Sequence, residues 1–287
     1  MTRSLTSRLN ARLGHHARRG QRALRTRSRR WRKRLARSWW LRDSPLAVPL
    51  TGTRFALGLY FDDLEKVLHA LSRDRRDVFV IQVGACEAAV GDPLGWFLRA
   101  RSWRGVLVEP VPYLFERMQR NCADLPGVRL ENSAIAAEAG EATFYYLEPG
   151  EGDRRPEIYK TLGSFRRENL ERHAHFIARF EERVIARSLP CLPLDALCRK
   201  HAVERLDLLI CDAEGYDFEV LKTLDFERTP PRLVIWEHQH LSPEDAQACR
   251  RYLQERGYAV RELSKDSVAL HRERDGGELG SAFRSVG

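Results

Sequence analysis

The chain has no apolar run near the roughly 20 residues a membrane-spanning helix needs, so a helical integral membrane protein is not expected. Its six cysteines (Cys86, Cys122, Cys191, Cys198, Cys211, Cys249) contain no C-x-x-C pair. That argues against a zinc ribbon and against a disulfide framework, and the expectation is reduced thiols in a cytoplasmic protein. No apolar stretch of 7–15 residues follows the N-terminal positive charges, so a secretory signal peptide is not indicated. No internal repeat is visible, and the full G-x-G-x-x-G of a dinucleotide site is missing. Residues 1–42 lack acidic side chains altogether.

What is present is a chain of 287 residues, 43% hydrophobic and 31% charged, which fits a soluble globular protein with ample length to bury a core. The formal net charge of +9 is an average over unlike parts. Fifteen of the 49 Lys and Arg lie in residues 1–42, which leaves 34 basic against 40 acidic residues beyond. The leader is +15 and the body −6.

Read as a helix, 21–41 places Leu24, Trp31, Leu35 and Trp39 near one face with Arg and Lys around the rest. Three readings compete: an anchor on anionic lipid, a nucleic-acid arm, and an inert or organelle-targeting extension. The tryptophans on the apolar stripe favour a peripheral contact with an anionic membrane through residues 1–42, because indole rings settle at the headgroup level. Pro45, Pro49 and Gly52 mark a linker. The expected organisation is a basic extension over 1–54, a folded domain over 55–272 with a lid-like insertion at 148–189, and a flexible C-terminal tail over 273–287.

From Asp77 onward, short apolar runs alternate with helical patterns, the signature of a parallel sheet covered by helices. Strands are expected at 78–83, 105–109, 128–131, 142–146, 206–211, 233–237, 258–263 and 267–271, and helices at 93–101, 113–122, 218–224 and 243–256. Ligands in such sheets bind beyond the carboxyl ends of the strands. Those ends are polar here: Gly84-Ala85-Cys86-Glu87, Glu109-Pro110, Glu131-Asn132-Ser133, Asp212-Ala213-Glu214-Gly215 and Glu237-His238. Gly84 lets a ligand approach the first turn closely, and Glu109, 25 residues later, is placed to accept both hydrogen bonds of a ribose diol. Without the glycine cradle a pyrophosphate is poorly supported; an adenosine ligand such as S-adenosylmethionine needs only the ribose hook.

At these residues the sequence resembles the FkbM-type family of S-adenosylmethionine-dependent methyltransferases. The likeness runs through Ile81-Gln82-Val83-Gly84-Ala85, Asp92-Pro93-Leu94, the segment 105–112 ending Glu109-Pro110-Val111-Pro112, Leu162-Gly163-Ser164-Phe165, the segment 207–219 around Asp212-Ala213-Glu214-Gly215-Tyr216-Asp217, and 237–242. The resemblance implies a Rossmann-like class I methyltransferase fold of the α/β class, a mostly parallel seven-stranded sheet with helices on both faces. It also implies S-adenosylmethionine as cofactor, with Gly84, Ala85, Cys86 and Glu87 against its methionine part, Glu109 and Pro110 at the ribose, Asn132 and Ser133 near the adenine, and Asp212 near the transferred methyl. Glu214, two residues on, is expected near the cofactor's amino group or a substrate hydroxyl. The family is associated with O-methylation of hydroxyls on sugars and secondary metabolites. One departure is visible: where the family carries Asn-Asp-Gly, this chain has Cys86-Glu87-Ala88.

Methyl transfer from a sulfonium is an in-line displacement, so the protein chiefly holds and aligns the nucleophile, aided by a base for its proton. Asp212, Glu237 and His238 are the expected catalytic residues. His238 follows the fifth strand, whereas His240 is expected to lead into the next helix cap. A divalent metal on Asp212, Glu237 and His238, with Glu214 adjoining, is compatible with the residue types but not required by their spacing. In the insertion, Tyr159, Ser164 and Phe165 are expected to face the acceptor, a small molecule or glycan. Two alternatives stand beside this reading: a nucleic-acid methyltransferase using the basic leader, disfavoured by the acidic body, and a cofactor-binding scaffold without turnover, motivated by Cys86-Glu87-Ala88.

Overall fold

A computed structural model describes residues 55, 60, 62–88, 92–154 and 158–287. The expected basic leader, its amphipathic helix and nearly all of the linker lie outside the described residues. Asp63–Gly287 forms one compact unit.

Its elements run α1 (Asp63–Asp74), β1 (Phe79–Val83), α2 (Gly95–Ala100), β2 (Arg104–Val108), α3 (Pro112–Asn121), β3 (Val128–Glu131), β4 (Ala134–Ile135), β5 (Gly140–Leu147), β6 (Gly163–Ser164), α4 (Arg167–Glu171), α5 (Phe180–Arg183), β7 (Val184–Leu192), α6 (Leu194–Lys200), β8 (Leu208–Cys211), α7 (Asp217–Lys222), β9 (Leu233–Glu237), α8 (Pro243–Glu255), β10 (Tyr258–Glu262), β11 (Asp266–His271) and α9 (Gly277–Arg284). The main sheet has seven strands in the order β10-β11-β9-β8-β1-β2-β3. β11 is antiparallel to both its neighbours, and the other pairings are parallel. This is the Rossmann-like class I arrangement that the resemblance implies.

The central strands are apolar nearly throughout because helices cover both faces. β8 (Leu-Leu-Ile-Cys) and β9 (Leu-Val-Ile-Trp-Glu) are buried at every position. Their core includes Ile81, Leu209, Val234 and Trp236 and extends to α6, α7 and α8. Ser242 caps α8 through its Oγ, which accepts from the Asp245 N–H at 3.0 Å, as the Ser-Pro sequence foretells.

The register of the parallel strands aligns their carboxyl ends. Val83 pairs with Val108 on one side and Cys211 on the other, Val108 with Glu131, and Cys211 with Trp236. The strands therefore stop in step. Gly84, Glu109, Asn132, Asp212 and the terminal Glu237 fall in one row along the carboxyl edge.

The strand expected at 142–146 is present as β5, in a second, four-stranded sheet ordered β4-β7-β5-β6. Two expectations are corrected. The insertion at 148–189, expected to be strand-poor, supplies β6 and most of β7, and β7 pairs with β5 from Gly140↔Cys191 to Leu147↔Val184. The run Ala186-Arg187-Ser188 is exposed and Pro190 interrupts the pattern, which hides the alternation: β7 buries only Leu189 and Cys191 of its nine positions. The tail expected to be flexible over 273–287 contains α9, whose Leu279, Ala282 and Phe283 are buried. Asp74 at the end of α1 accepts the Glu278 and Leu279 N–H groups at 2.8 and 3.1 Å, satisfying the first turn of α9. α1 and α6 also escaped the helix pattern. All six cysteines are free thiols. Among the described residues, no helix is long and apolar enough to cross a membrane.

Candidate active site

A cavity of about 280 Å³ opens along the carboxyl edge where β1 meets β8. At this boundary the chain, having wound outward through β2 and β3, returns to the other side of β1. Such a switch point parts the flanking loops and leaves a crevice.

Its floor begins at Gly84. With φ +77°, a Cβ there would lie 2.0 Å from the Asp212 carbonyl oxygen, so only glycine lets the two strand-end loops approach this closely. Cys86 and Ala88 also hold positive φ, 52° and 46°. Ala88 stands where the family motif has glycine, and it takes the left-handed conformation regardless, at a cost of about 1–2 kcal/mol.

Glu109 is 4% exposed. Its Oε2 accepts the Cys86 N–H at 2.8 Å and its Oε1 the Val111 N–H at 2.9 Å. Each oxygen keeps a further lone pair for a ligand. Burial pushes its pKa up to about 8 against the pull of the two N–H groups, and nearby Asp212 adds to the rise. Asn132 does not line the cavity; its Nδ2 donates to the carbonyls of Glu109 and Pro110 at 2.8 and 3.2 Å and so fixes the turn that carries Glu109. Ser133 lines the cavity and donates to Glu131 at 3.2 Å.

Across the boundary the carboxylates crowd. Asp212 is exposed where it faces the cavity; desolvation by the surrounding protein, then Glu237, pushes it up to about 7. Glu214, at φ +49°, is pushed up to about 9 by burial and then by Asp212, Glu237 and Asp217. Glu237 lines the wall, with Lys265 Nζ 3.3 Å from its Oε1.

Of the residues expected at the site, Gly84, Cys86, Glu109, Pro110, Ser133, Ser164, Phe165, Asp212, Glu214 and Glu237 line the cavity. Ala85 is buried behind it. Glu87 turns aside to Lys160 (2.7 Å) and Arg117 (3.5 Å). Tyr159 and His238 also lie off the cavity. Tyr159 packs with Leu147, Leu162 and Leu170 in the cluster beneath the insertion, and Lys160 and Thr161 line the wall instead. His238 is not at the cavity: its Nδ1 lies 2.9 Å from Ser267 Oγ. His240 is the histidine that meets carboxylates, its Nε2 3.5 Å from both Glu214 and Glu237. The metal-compatible set is accordingly Glu214, Glu237 and His240, not Asp212, Glu237 and His238.

The family model of the methyltransferase FkbM domain matches residues 82–260. The chain belongs to the FkbM methyltransferase family. No curated protein matches it significantly in sequence. Among solved structures it is similar to an FkbM methyltransferase from Methylobacillus flagellatus KT (12% identity, TM-score 0.43), covering 68% of this chain and 44% of that one. It thus spans less than half of that protein's length. It is also similar to a precorrin-6y C5,15-methyltransferase from Geobacter metallireducens GS-15 (13%, TM-score 0.35; 71% and 85%) and to the fibrillarin pre-rRNA processing protein of Methanococcus jannaschii (11%, TM-score 0.34; 69% and 68%).

In this FkbM chain, sequence reasoning missed three contributors. Lys265, in the β10–β11 hairpin, reaches the cavity from 28 residues beyond Glu237 and carries no motif. The insertion's 160–165 forms a wall through Lys160 and Thr161 as well as Ser164 and Phe165. Asp217, fully buried, accepts the N–H groups of Ala213 (3.4 Å), Gly215 (3.3 Å) and Glu237 (3.3 Å), tying the β8 and β9 ends together. Its signal was present, since Asp217 sits within the matched 207–219 segment, but a carboxylate there reads equally as first-turn charge compensation for α7.

Proposed function

We propose that this methyltransferase uses S-adenosylmethionine to methylate a hydroxyl oxygen of a small acceptor, a sugar, glycolipid or secondary metabolite. The observation that carries the reading is Glu109: a buried carboxylate at the end of β2, oriented by two backbone N–H groups, with lone pairs left toward a cavity at the switch point. That is the geometry a ribose diol requires.

The remaining residues suit the same ligand. Three cavity carboxyls, Glu109, Asp212 and Glu214, are pushed far above their ordinary range, first by burial and then by neighbouring acidic groups, so their ionised forms are there to be stabilised by a cationic ligand. A ligand bearing a sulfonium and an ammonium supplies that stabilisation, and a pyrophosphate does not. Gly84 lets the loops after β1 and β8 close up to form the floor because no Cβ intervenes. When bound, S-adenosylmethionine supplies a methyl carbon already activated for displacement. The protein's part is to hold the acceptor oxygen in line and take its proton. Asp212, titrating near 7 and facing the cavity, is matched to that role near neutral pH; Glu237 lies beside it. Phe165, set edge-on to Phe144 and near Tyr216, offers an apolar wall against which a sugar ring or similar body rests.

Calorimetry on the purified chain tests the cofactor assignment: S-adenosylmethionine binds, and Glu109→Ala abolishes binding. Unchanged affinity in the variant overturns the site. The acceptor class is tested by incubating a glycan and metabolite extract with methyl-labelled S-adenosylmethionine. Label on hydroxyl oxygens supports the reading, and label confined to nitrogen or nucleic acid overturns it. For the leader, whose +15 charge suits an anionic surface, flotation with anionic vesicles is expected and should be lost on deleting residues 1–42; equal flotation with neutral vesicles excludes an electrostatic anchor.

A further inference from the structure

At the β8–β9 side of the cavity three side chains from two neighbouring strand ends converge. Glu214 comes from the loop after β8, Glu237 closes β9, and His240 follows in the turn before α8. Nε2 of His240 lies 3.5 Å from Glu214 Oε2 and 3.5 Å from Glu237 Oε2, and one donor atom of each residue lies within 4.8 Å of the other two. Neither 3.5 Å approach is of good hydrogen-bond length. Among the described residues, no hydrogen bond reaches the Glu214 carboxylate at all, although its side chain is only 19% exposed. Neighbouring ligand atoms around a cation at about 2.1 Å stand roughly 3 Å apart. The two imidazole–carboxylate separations are therefore slightly too long for good hydrogen bonds, and the three donors would draw in from at most 4.8 Å to share an ion.

The backbone holds them there. The missing Cβ of Gly215 leaves room for the His240 carbonyl, which a Cβ would approach to 2.9 Å. Asn169 Nδ2 donates to the Glu214 carbonyl at 3.1 Å and to Ser164 at 2.8 Å, clamping the loop from the insertion side. Lys265 contacts Glu237 through Oε1, the oxygen opposite the one that faces His240. That leaves Oε2 free and orients it, which is how an outer partner serves a ligating carboxylate.

We infer that Glu214, Glu237 and His240 form a divalent-cation site whose open positions take two neighbouring oxygens of the acceptor, as in a vicinal diol. Two carboxylate oxygens and one imidazole nitrogen suit Mn²⁺ or Zn²⁺ better than Ca²⁺, and three protein ligands leave coordination positions for substrate. The site borders the cavity through Glu214 and Glu237, both of which line it, so the ion would fix where the acceptor's hydroxyl sits. That role rests on the methyltransferase reading above; the binding of the ion does not.

The test is a Mn²⁺ titration of the full chain followed by electron paramagnetic resonance, with no S-adenosylmethionine present. One ion per chain is expected. Glu214→Gln and His240→Ala should each weaken binding by about 100-fold or more, and Lys265→Ala by about 10-fold or more, since removing even an outer partner costs 10–100-fold. His238→Ala should leave it unchanged, because that ring is engaged by Ser267. Circular dichroism melts and S-adenosylmethionine calorimetry on the same variants separate lost folding from lost binding. Absence of bound Mn²⁺ at millimolar concentration, or binding retained in the Glu214→Gln/His240→Ala double variant, overturns the site. If Mn²⁺ fails while S-adenosylmethionine binds, only the ion site falls. If Mn²⁺ binds and S-adenosylmethionine does not, the cofactor reading falls and the ion site stands.

Discussion

On the β1–β2 side of the switch point the carboxylate that faces the cavity is held: each oxygen of Glu109 accepts a backbone N–H, and the turn carrying it is tied by Asn132. On the β8–β9 side the backbone N–H groups go to Asp217, outside the cavity, while Asp212, Glu214 and Glu237 crowd together with Lys265 as the ammonium facing them. The first half is a receptor of fixed orientation. The second concentrates negative charge that a ligand, an acceptor proton or a cation must relieve. Rigid orientation suits a constant partner and loosely satisfied charge suits chemistry, because groups whose pKa values are raised are those that exchange protons near neutrality.

The heaviest blow to this contrast should come from Gly84→Ala, which touches both halves. A Cβ 2.0 Å from the Asp212 carbonyl must push the loops apart, and the left-handed φ adds its own cost. A stability loss of about 3 kcal/mol or more is expected in denaturant unfolding; a loss below about 1 kcal/mol would show that the close approach is not enforced. Next, Glu109→Gln keeps the size and one acceptor, but its amide nitrogen must face the N–H of Cys86 or of Val111. S-adenosylmethionine affinity should fall roughly 100-fold, and stability should fall by about 1–3 kcal/mol in denaturant unfolding. Asp217→Asn should cost stability with a smaller loss of affinity, because Asp217 does not line the cavity. Its amide nitrogen would face an N–H, costing about 1–3 kcal/mol of stability, and amide exchange should quicken in the loops after β8 and β9 but not after β2.

The smallest expected effect is the pH dependence. Glu109, Asp212 and Glu214 titrate at about 8, 7 and 9 in the folded chain, above the ordinary carboxyl range of about 4. The folded state therefore holds these protons more tightly than the unfolded one. The stability they contribute is complete below that ordinary range and is lost as pH climbs through 7 to 9. The unliganded melting temperature should decline from about pH 5 to about pH 9, and a bound cationic ligand should raise it more at about pH 9 than at about pH 6. A melting temperature that rises across that window would refute the crowding of the second half.

How far the site was legible from residues alone follows the same division. Gly84, Glu109 and Asp212 could be read because each closes an apolar run, and a parallel sheet brings the ends of such runs together. The choice between His238 and His240 could not be read, because it turns on which way a two-residue turn directs each ring. Ser267, on β11, draws His238 away. Lys265 was invisible for a similar reason: it reaches Glu237 only because β11 inserts antiparallel beside β9. The second sheet was half legible. β5 alternates well enough to be recognised, but β7 carries the exposed run Ala186-Arg187-Ser188 and a proline at 190, and only pairing with β5 makes it a strand.

By itself, then, the order of residues determined the alternation of apolar runs and helices, the polar strand ends and the division of charge between a +15 leader and a −6 body. These are local properties, governed by periodicity and composition. Only the tertiary structure decided that the strands stop in register, that Glu214, Glu237 and His240 meet, that the insertion closes one wall and that the last helix docks on α1. Each of these depends on pairing between segments distant in the chain, where a shift of one residue would turn the same side chains to the opposite face.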